Sequence, residues 1–511
     1  MMCFTNLMLL VSMGGIMKNK LVSLDDVVKL RDNSDLSDSY VKYMCGLDKD
    51  HRYHHQEILD ICALIDCISV AKDKYKGYIY SYVVPQLNKE FDLIKISKTA
   101  CLNIELKSQI VPKDRIEHQL KQNYHYLKLL NRELHLFTFV SSMKKVYMLN
   151  ENQKLEESSI ENLSAYINSF SEYEFIDLDK IFEPSKILVS PLNTPDKFLV
   201  GDYILTQHQE NIKIDILTRI DTGAQDHFLG ITGGPGTGKT LLVYDLAKEL
   251  SQKMKVLVVH SGILCEGHNK LNRKLQNVTI ISAKQLNNYK LEEENIDIVI
   301  IDEAQRLYES SLGKVETWVK EKDTFCIFSY DPEQRLSQSE FRSDTTDEIE
   351  AIIKGNSFKL TNKIRTNKEM ALFIKCLFNL SNFREGYRFP NVKIIYEPNP
   401  TKAMKRAIEI SHEGYQYISF TGSNYDLSLN YQETDTNTHK VIGQEYDGVC
   451  MLLDYNWKYD GNKLKGNVHP NPNYLFSRLL YQGLTRVRKK LVLVVCPESV
   501  LNGLLLLLQN N

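Results

Sequence analysis

The chain of 511 residues has no apolar run long enough to cross a bilayer, no C-x-x-C pair and a net charge of only −2. Each absence removes a class of protein. The two most apolar stretches, inside residues 1–16 and at Leu504–Leu508, fall short of the roughly 20 residues that a membrane helix needs. The first also lacks a basic region before it and a small-residue cleavage site after it, so it does not read as a signal peptide. Met17-Lys18-Asn19-Lys20 is an alternative start, which would make residues 1–16 an upstream extension. The ten cysteines are scattered, which argues against a zinc site or a disulfide framework and for buried thiols in a reducing cytoplasm. Near-neutral charge excludes a uniformly basic nucleic-acid binder, so any such surface must be a local groove. No internal repeat is visible, and the length suits roughly three domains.

What is present begins with Phe228-Leu229-Gly230-Ile231, an apolar run feeding Thr232-Gly233-Gly234-Pro235-Gly236-Thr237-Gly238-Lys239-Thr240. The run fits G-x-x-x-x-G-K-S/T, and Leu242, Val243, Leu246, Ala247 and Leu250 follow at helical spacing. Strand, glycine loop and helix together turn backbone N–H groups and a helix N-terminus toward a polyphosphate. Lys239 is expected on the β- and γ-phosphates, and Thr240 on Mg²⁺. Farther on, the strand Ile296–Ile301 ends in Asp302-Glu303. Asp302 is expected to hold Mg²⁺ through water, and Glu303 to polarise the attacking water. Together these predict a nucleoside triphosphate site.

The N-terminal part carries a second chemistry. Two strands, Phe91–Ile96 and Cys101–Lys107, are joined by four residues and predict a hairpin. Period 2 sets Glu105 and Lys107 on one face, with Asp92 on the neighbouring strand. Two carboxylates and a lysine are costly together unless they hold a metal. The plainer alternative is a solvated strand face with a Glu–Lys pair.

Taken in order, Glu57 on a helix, Asp92 and Glu105-x-Lys107 on the hairpin, and Gln119 and Gln122 on the next helix resemble the PD-(D/E)xK restriction-endonuclease-like core. The proline usual before the first Asp is absent. The resemblance implies Mg²⁺ or Mn²⁺ on Asp92 and Glu105, with Lys107 positioning water. From residue 205 on, the chain resembles a superfamily 1 helicase of the compact Schlafen-like type. The carriers are Gln209 after Leu205, the phosphate loop, Asp302-Glu303, and Asp331-Pro332-Glu333-Gln334 with Tyr330 in place of Gly. They continue with Leu360…Arg365-Thr366 (Lys363 replacing Asn), Thr438-His439…Gly443-Gln444-Glu445, and Tyr481…Thr485-Arg486-Val487-Arg488. This resemblance implies Gln209 reading the adenine of ATP, Glu445 at the nucleotide, Gln334 sensing the γ-phosphate, and Arg365 and Arg486 completing the site from the second lobe.

The expected fold is α/β: two RecA-like parallel-sheet lobes (198–355 and 356–511), preceded by a restriction-endonuclease-like domain (51–150). Residues 1–50 are expected as an extension and 151–197 as a linker rich in Glu, Ser and Asn. The expected function is an ATP-dependent nuclease-helicase on nucleic acid, DNA ahead of RNA, resembling bacterial anti-phage proteins at the level of architecture. The alternative is a nucleotide-gated binding switch with a degenerate nuclease domain.

Overall fold

The computed structural model describes residues 20–508 apart from 32–33, 47–54, 85–86, 88, 171, 183–188, 224, 333, 335–344, 362–367, 423–431, 433 and 467–473. The proposed start at Met17 and the expected arginine Arg365 lie outside the described residues. Two compact units divide the chain, residues 1–183 and 184–511.

The first unit is built on a six-stranded sheet in sequence order: β1 (Tyr78–Val84), β2 (Lys89–Ile96), β3 (Ala100–Lys107), β4 (Glu133–Val140), β5 (Lys145–Leu149) and β6 (Leu155–Ser158). The hairpin expectation holds, with Ile94 opposite Asn103 and Ile96 opposite Cys101. Only β3 and β4 run parallel, Glu105 beside Thr138. A parallel pair needs a crossover, and the helix Lys113–Leu127 supplies it. Leu102, Ile104 and Leu106 face a core shared with Ile58, Ile61 and Leu64 of the helix His55–Cys67. The opposite face of β3 therefore presents Asn103 and Glu105 to the crossover helix.

Two segments expected outside this domain are part of it. Leu24, Val27, Val41 and Cys45 join the same core, so the residues described before 51 are no loose extension. Within the expected linker, β6 pairs with β5, Val146 opposite Ser158. The helix Ile160–Ser169 follows, capped by Ser159, whose side chain accepts from the Asn162 N–H at 3.1 Å. Leu163 and Ile167 of that helix are fully buried in the core, and each such side chain stabilises by about 1.5–3 kcal/mol. The polar composition hid a one-sided helix: Ile160, Leu163 and Ile167 keep its spacing while Glu, Ser and Asn fill the exposed side.

In the second unit, β7 (Phe228–Gly233), β8 (Val256–His260), β9 (Val278–Ser282), β10 (Ile298–Asp302), β11 (Phe325–Tyr330) and β12 (Ser357–Leu360) form a parallel sheet. Its order is β12-β7-β11-β10-β8-β9. β8, β10 and β11 are buried along their whole length, as parallel strands covered on both faces should be. β12 extends this lobe past the expected break at 355, because Phe358 pairs beside Ile231. The second lobe is a smaller parallel sheet, β13 (Val392–Tyr396), β16 (Val487–Val495), β15 (Tyr446–Leu453) and β14 (Gln416–Tyr417), in that order. The chain is thus an α/β protein, with two parallel-sheet lobes after a mixed-sheet domain.

Candidate functional site

The carboxyl ends of β7, β11 and β10 lie side by side, and the sequence places a polar cluster at each. At β7 the glycines have structural reasons. Gly236 and Gly238 sit at φ of 77° and 85°, the left-handed region that favours glycine. A Cβ on Gly233 would come within 2.8 Å of the Leu360 carbonyl and 2.7 Å of Thr237 Oγ1. Thr237 Oγ1 donates to the Gly234 carbonyl at 2.9 Å, closing the loop. The helix Lys239–Leu250 starts directly after Gly238. Lys239 Nζ folds back onto the loop, donating to the carbonyls of Gly233 at 2.6 Å and Gly234 at 3.2 Å, with Asp331 Oδ2 at 4.0 Å. Thr240 is buried at the helix start.

Gln209 braces this loop from behind. Its Nε2 donates to the Gly238 carbonyl at 3.2 Å, and its Oε1 accepts from the Thr206 N–H at 2.9 Å. Both ends of the amide are engaged by protein, so reading an adenine edge would require one of them to let go.

At the end of β10, Asp302 is fully buried. Its Oδ1 accepts from Ser329 Oγ of β11 at 3.2 Å. Its Oδ2 has no hydrogen bond among the described residues, and His260 Nδ1 of β8 lies 3.4 Å from it. A buried carboxylate oxygen without a donor is costly, and a hydrated divalent cation would supply one. The residues present therefore fit Mg²⁺. Glu303 follows at φ 58°, ψ 40°, a strained left-handed conformation for a non-glycine residue. Its Oε2 accepts from Gln305 Nε2 at 2.8 Å and lies 3.7 Å from Arg306 Nε. Burial alone would raise this carboxyl. Arg306 chiefly, then Lys239, Arg486 and His260, outweigh it and hold Glu303 below the usual carboxylate range.

Gln305 Oε1 accepts from the Asp331 N–H at 3.1 Å, tying the ends of β10 and β11 together. Gln334 is buried; its carbonyl accepts from Arg306 Nη2 at 3.3 Å, and its Nε2 has no hydrogen-bond partner among the described residues. From the second lobe come Arg486 and Glu445. Arg486 is buried, its Nε donating to the Gln482 carbonyl at 3.3 Å and its Nη1 to the Gln444 carbonyl at 3.4 Å. Glu445 is paired with Arg488, 3.0 Å away, and its main chain is clamped by Asn193 through bonds of 2.7 and 2.9 Å. The structure thus brings Lys239, Asp302, Glu303, Gln334 and Arg486 to one region. Motif reading passed over His260, Gln305, Arg306 and Asn193. For Gln305 and Arg306 a signal existed, since both stand within three residues of Glu303.

Beside this region a cleft of about 1730 Å³ opens between the lobes. Ile263, Lys284, Arg306 and Tyr308 line it from the first lobe, His439 and Tyr474 from the second. Tyr308 is 59% exposed. The rings of His439 and Tyr474 lie 4.8 Å apart.

In the first unit, the face of β3 under the crossover helix is polar and closed. Glu105 is fully buried. Its Oε1 accepts from Asn123 Nδ2 at 2.7 Å and Asn103 Nδ2 at 3.2 Å, and its Oε2 from Gln119 Nε2. Asp92 Oδ2 accepts from the Leu106 N–H at 2.7 Å. Desolvation, then the charge of Glu105, pushes the Asp92 carboxyl well above its usual range against Lys107. A cation between the two carboxylates would relieve that repulsion. Lys89 shares the neighbourhood: burial lowers its ammonium although Glu105 and Asp92 favour it. Gln122 does not reach this cluster and meets His118 on the outer face of the helix at 3.0 Å. Glu57 Oε2 accepts from the Tyr80 hydroxyl at 2.6 Å, and its charge adds to the upward push on the Asp92 carboxyl. Asn103 and Asn123 escaped the sequence reading, although Asn103 is two residues before Glu105 and Asn123 four after Gln119.

Residues 226–467, a little under half of the chain, match the family model for the Schlafen group 3 DNA/RNA helicase domain. No curated protein matches the chain. Among solved structures, the Pif1 helicase of Candida albicans is 13% identical, covers 60% of this chain and 99% of its own, and has a TM-score of 0.32. A Bacteroides Pif1 bound to single-stranded DNA is also 13% identical, with coverage of 57% and 92% and a TM-score of 0.30. These are low overall superpositions, and the strand order above carries the fold without them. By its motifs, its parallel sheet and its family match, residues 226–467 carry a helicase-like domain.

Proposed function

We propose that the chain is an ATP-driven helicase or translocase on nucleic acid, with a metal-dependent nuclease in its N-terminal unit. The observation that carries the motor half is the convergence of Lys239, Asp302, Glu303 and Gln334 at adjoining strand ends, with the charge of Arg486 from the second lobe acting on Glu303.

ATP would lie with its phosphates in the Gly233–Thr240 loop, against backbone N–H groups and the start of the helix. Lys239 then exchanges the Gly233 and Gly234 carbonyls for phosphate oxygens. Thr240 and Asp302 are the residues that would hold Mg²⁺, which when bound neutralises charge on the β- and γ-phosphates. Glu303 orients water and takes its proton as the water oxygen bonds to the γ-phosphorus; the β–γ bridging bond breaks and ADP leaves. Gln334 turns its Nε2, without a hydrogen-bond partner among the described residues, toward the γ-phosphate. Arg486 adds positive charge where the transition state gathers negative charge.

The cleft offers what a single strand needs: cations for the backbone in Lys284 and Arg306, and aromatic faces for bases in Tyr308 and the His439–Tyr474 pair. Hydrolysis of ATP with and without single-stranded DNA or RNA, followed by strand separation, tests the motor. DNA is the first substrate to try. Absence of hydrolysis under every condition would remove the reading.

The nuclease half is supported by Asp92 and Glu105 meeting across β2 and β3, with Gln119 on the crossover helix holding Glu105. Replacing Glu105 with Gln should remove Mg²⁺- or Mn²⁺-dependent cleavage and leave ATP turnover near the wild-type rate, because the two chemistries sit in separate units. A nucleotide-gated switch with a non-cutting N-terminal unit is favoured by one fact: both oxygens of Glu105 are already engaged by amides. Calorimetric titration of the full chain with Mn²⁺, alongside cleavage assays, separates the two. A wild type that neither binds Mn²⁺ there nor cuts leaves the switch. A place in anti-phage defence rests on the nuclease-plus-helicase architecture alone.

A further inference from the structure

Arg306 stands between the hydrolytic carboxylate and the cleft. It ends the single 3₁₀ turn Ala304–Arg306 that follows Glu303, and is 8% exposed. On one side its Nε is 3.7 Å from Glu303 Oε2, and its Nη2 donates to the Gln334 carbonyl at 3.3 Å. On the other side the same residue lines the cleft with Tyr308 and Lys284, across from His439. Burial first, and then the charge of Arg306, pushes the His439 imidazole down to about 3. One guanidinium therefore acts on Glu303, the Gln334 carbonyl and the wall of the groove.

Two anions compete for that group. A guanidinium that holds a carboxylate oxygen keeps that oxygen from an incoming water. Glu303 in this state accepts from Gln305 and is drawn toward Arg306. A phosphodiester is a forked oxygen acceptor that suits an arginine equally well. We propose that Arg306 is the positioning residue through which nucleic acid in the cleft switches on ATP hydrolysis. A backbone phosphate draws the guanidinium off Glu303, and the freed carboxylate orients water and takes its proton. The shift also loosens the hold on the Gln334 carbonyl, so the motor idles when the groove is empty. This rests on the nucleotide-hydrolysis reading above.

The test is ATP turnover by the full chain, with and without saturating single-stranded DNA oligonucleotide, for wild type, Arg306→Ala and Arg306→Lys. Oligonucleotide binding is followed by fluorescence anisotropy, and folding by thermal melting. In wild type the oligonucleotide should raise turnover. In Arg306→Ala the rate without DNA should rise toward the stimulated wild-type rate and the two rates become equal, although the oligonucleotide still binds at higher concentration. Arg306→Lys keeps the charge without the fork and should retain part of the stimulation. An Arg306→Ala enzyme stimulated by the same factor as wild type overturns the proposal. So does a loss that lowers both rates alike, which marks a residue that only supports the fold of the site. If Arg306→Ala does not fold, an Arg306→Lys enzyme indistinguishable from wild type in both rates overturns it as well. A wild type that hydrolyses ATP without responding to nucleic acid removes this switch but keeps the nucleotide site. A wild type without any hydrolysis removes the underlying reading itself.

Discussion

Replacing Lys239 with Ala should lower ATP turnover by about 10²-fold or more, since it deletes the charge proposed to meet the transferring phosphoryl group. The structure adds a second consequence. Lys239 Nζ bridges the carbonyls of Gly233 and Gly234, and each such bond is worth about 1 kcal/mol net. The empty loop should therefore loosen in the mutant, while the sheet beneath it, buried on both faces, keeps its melting temperature within a few degrees. Turnover and thermal melting measured together check both statements. Near-wild-type turnover in Lys239→Ala would remove the phosphate-loop assignment.

Arg486→Ala is expected to cost more in turnover and less in binding. An arginine finger supplied in cis is worth about 10³-fold or more in turnover, because its charge is needed chiefly where negative charge accumulates in the transition state. Arg486 is held by the Gln482 and Gln444 carbonyls, beside the Glu445–Arg488 pair, which would keep it in place for the proposed role. Titration with a fluorescent ATP analogue should show affinity changed only severalfold while turnover collapses. Arg486→Lys should fall between the two, since an ammonium keeps the charge but not the planar fork. Equal losses in affinity and turnover would instead mark Arg486 as a structural arginine.

How much of this was readable beforehand follows the sequence distance over which each feature is built. The phosphate loop is contiguous: a strand, a glycine loop in which Gly236 and Gly238 take left-handed backbone, and a helix start. The same holds for Asp302-Glu303, where an apolar run announces the strand and the acids end it. The hairpin carrying Asp92 and Glu105 was legible because its strands follow one another closely, with three residues between them in the structure. The expected linker was not, since its polar composition outweighed three apolar residues at helical spacing, and only pairing with β5 made 155–158 a strand.

The finer sites depend on which faces meet. Gln119 and Gln122 are three residues apart on one helix, yet only Gln119 reaches Glu105; helix rotation against the sheet chose between them. Gln209 also braces the loop, because its N-cap box with Thr206 orients the amide toward the Gly238 carbonyl. The sequence alone determined that a phosphate loop and a strand-end acid pair exist, since both are written in contiguous residues. Only the tertiary structure decided that Asn103, Gln119 and Asn123 close around Glu105, and that Arg306 lies between Glu303 and the cleft. Those neighbours are set by strand order and by the packing of one element on another, which no stretch of contiguous residues encodes.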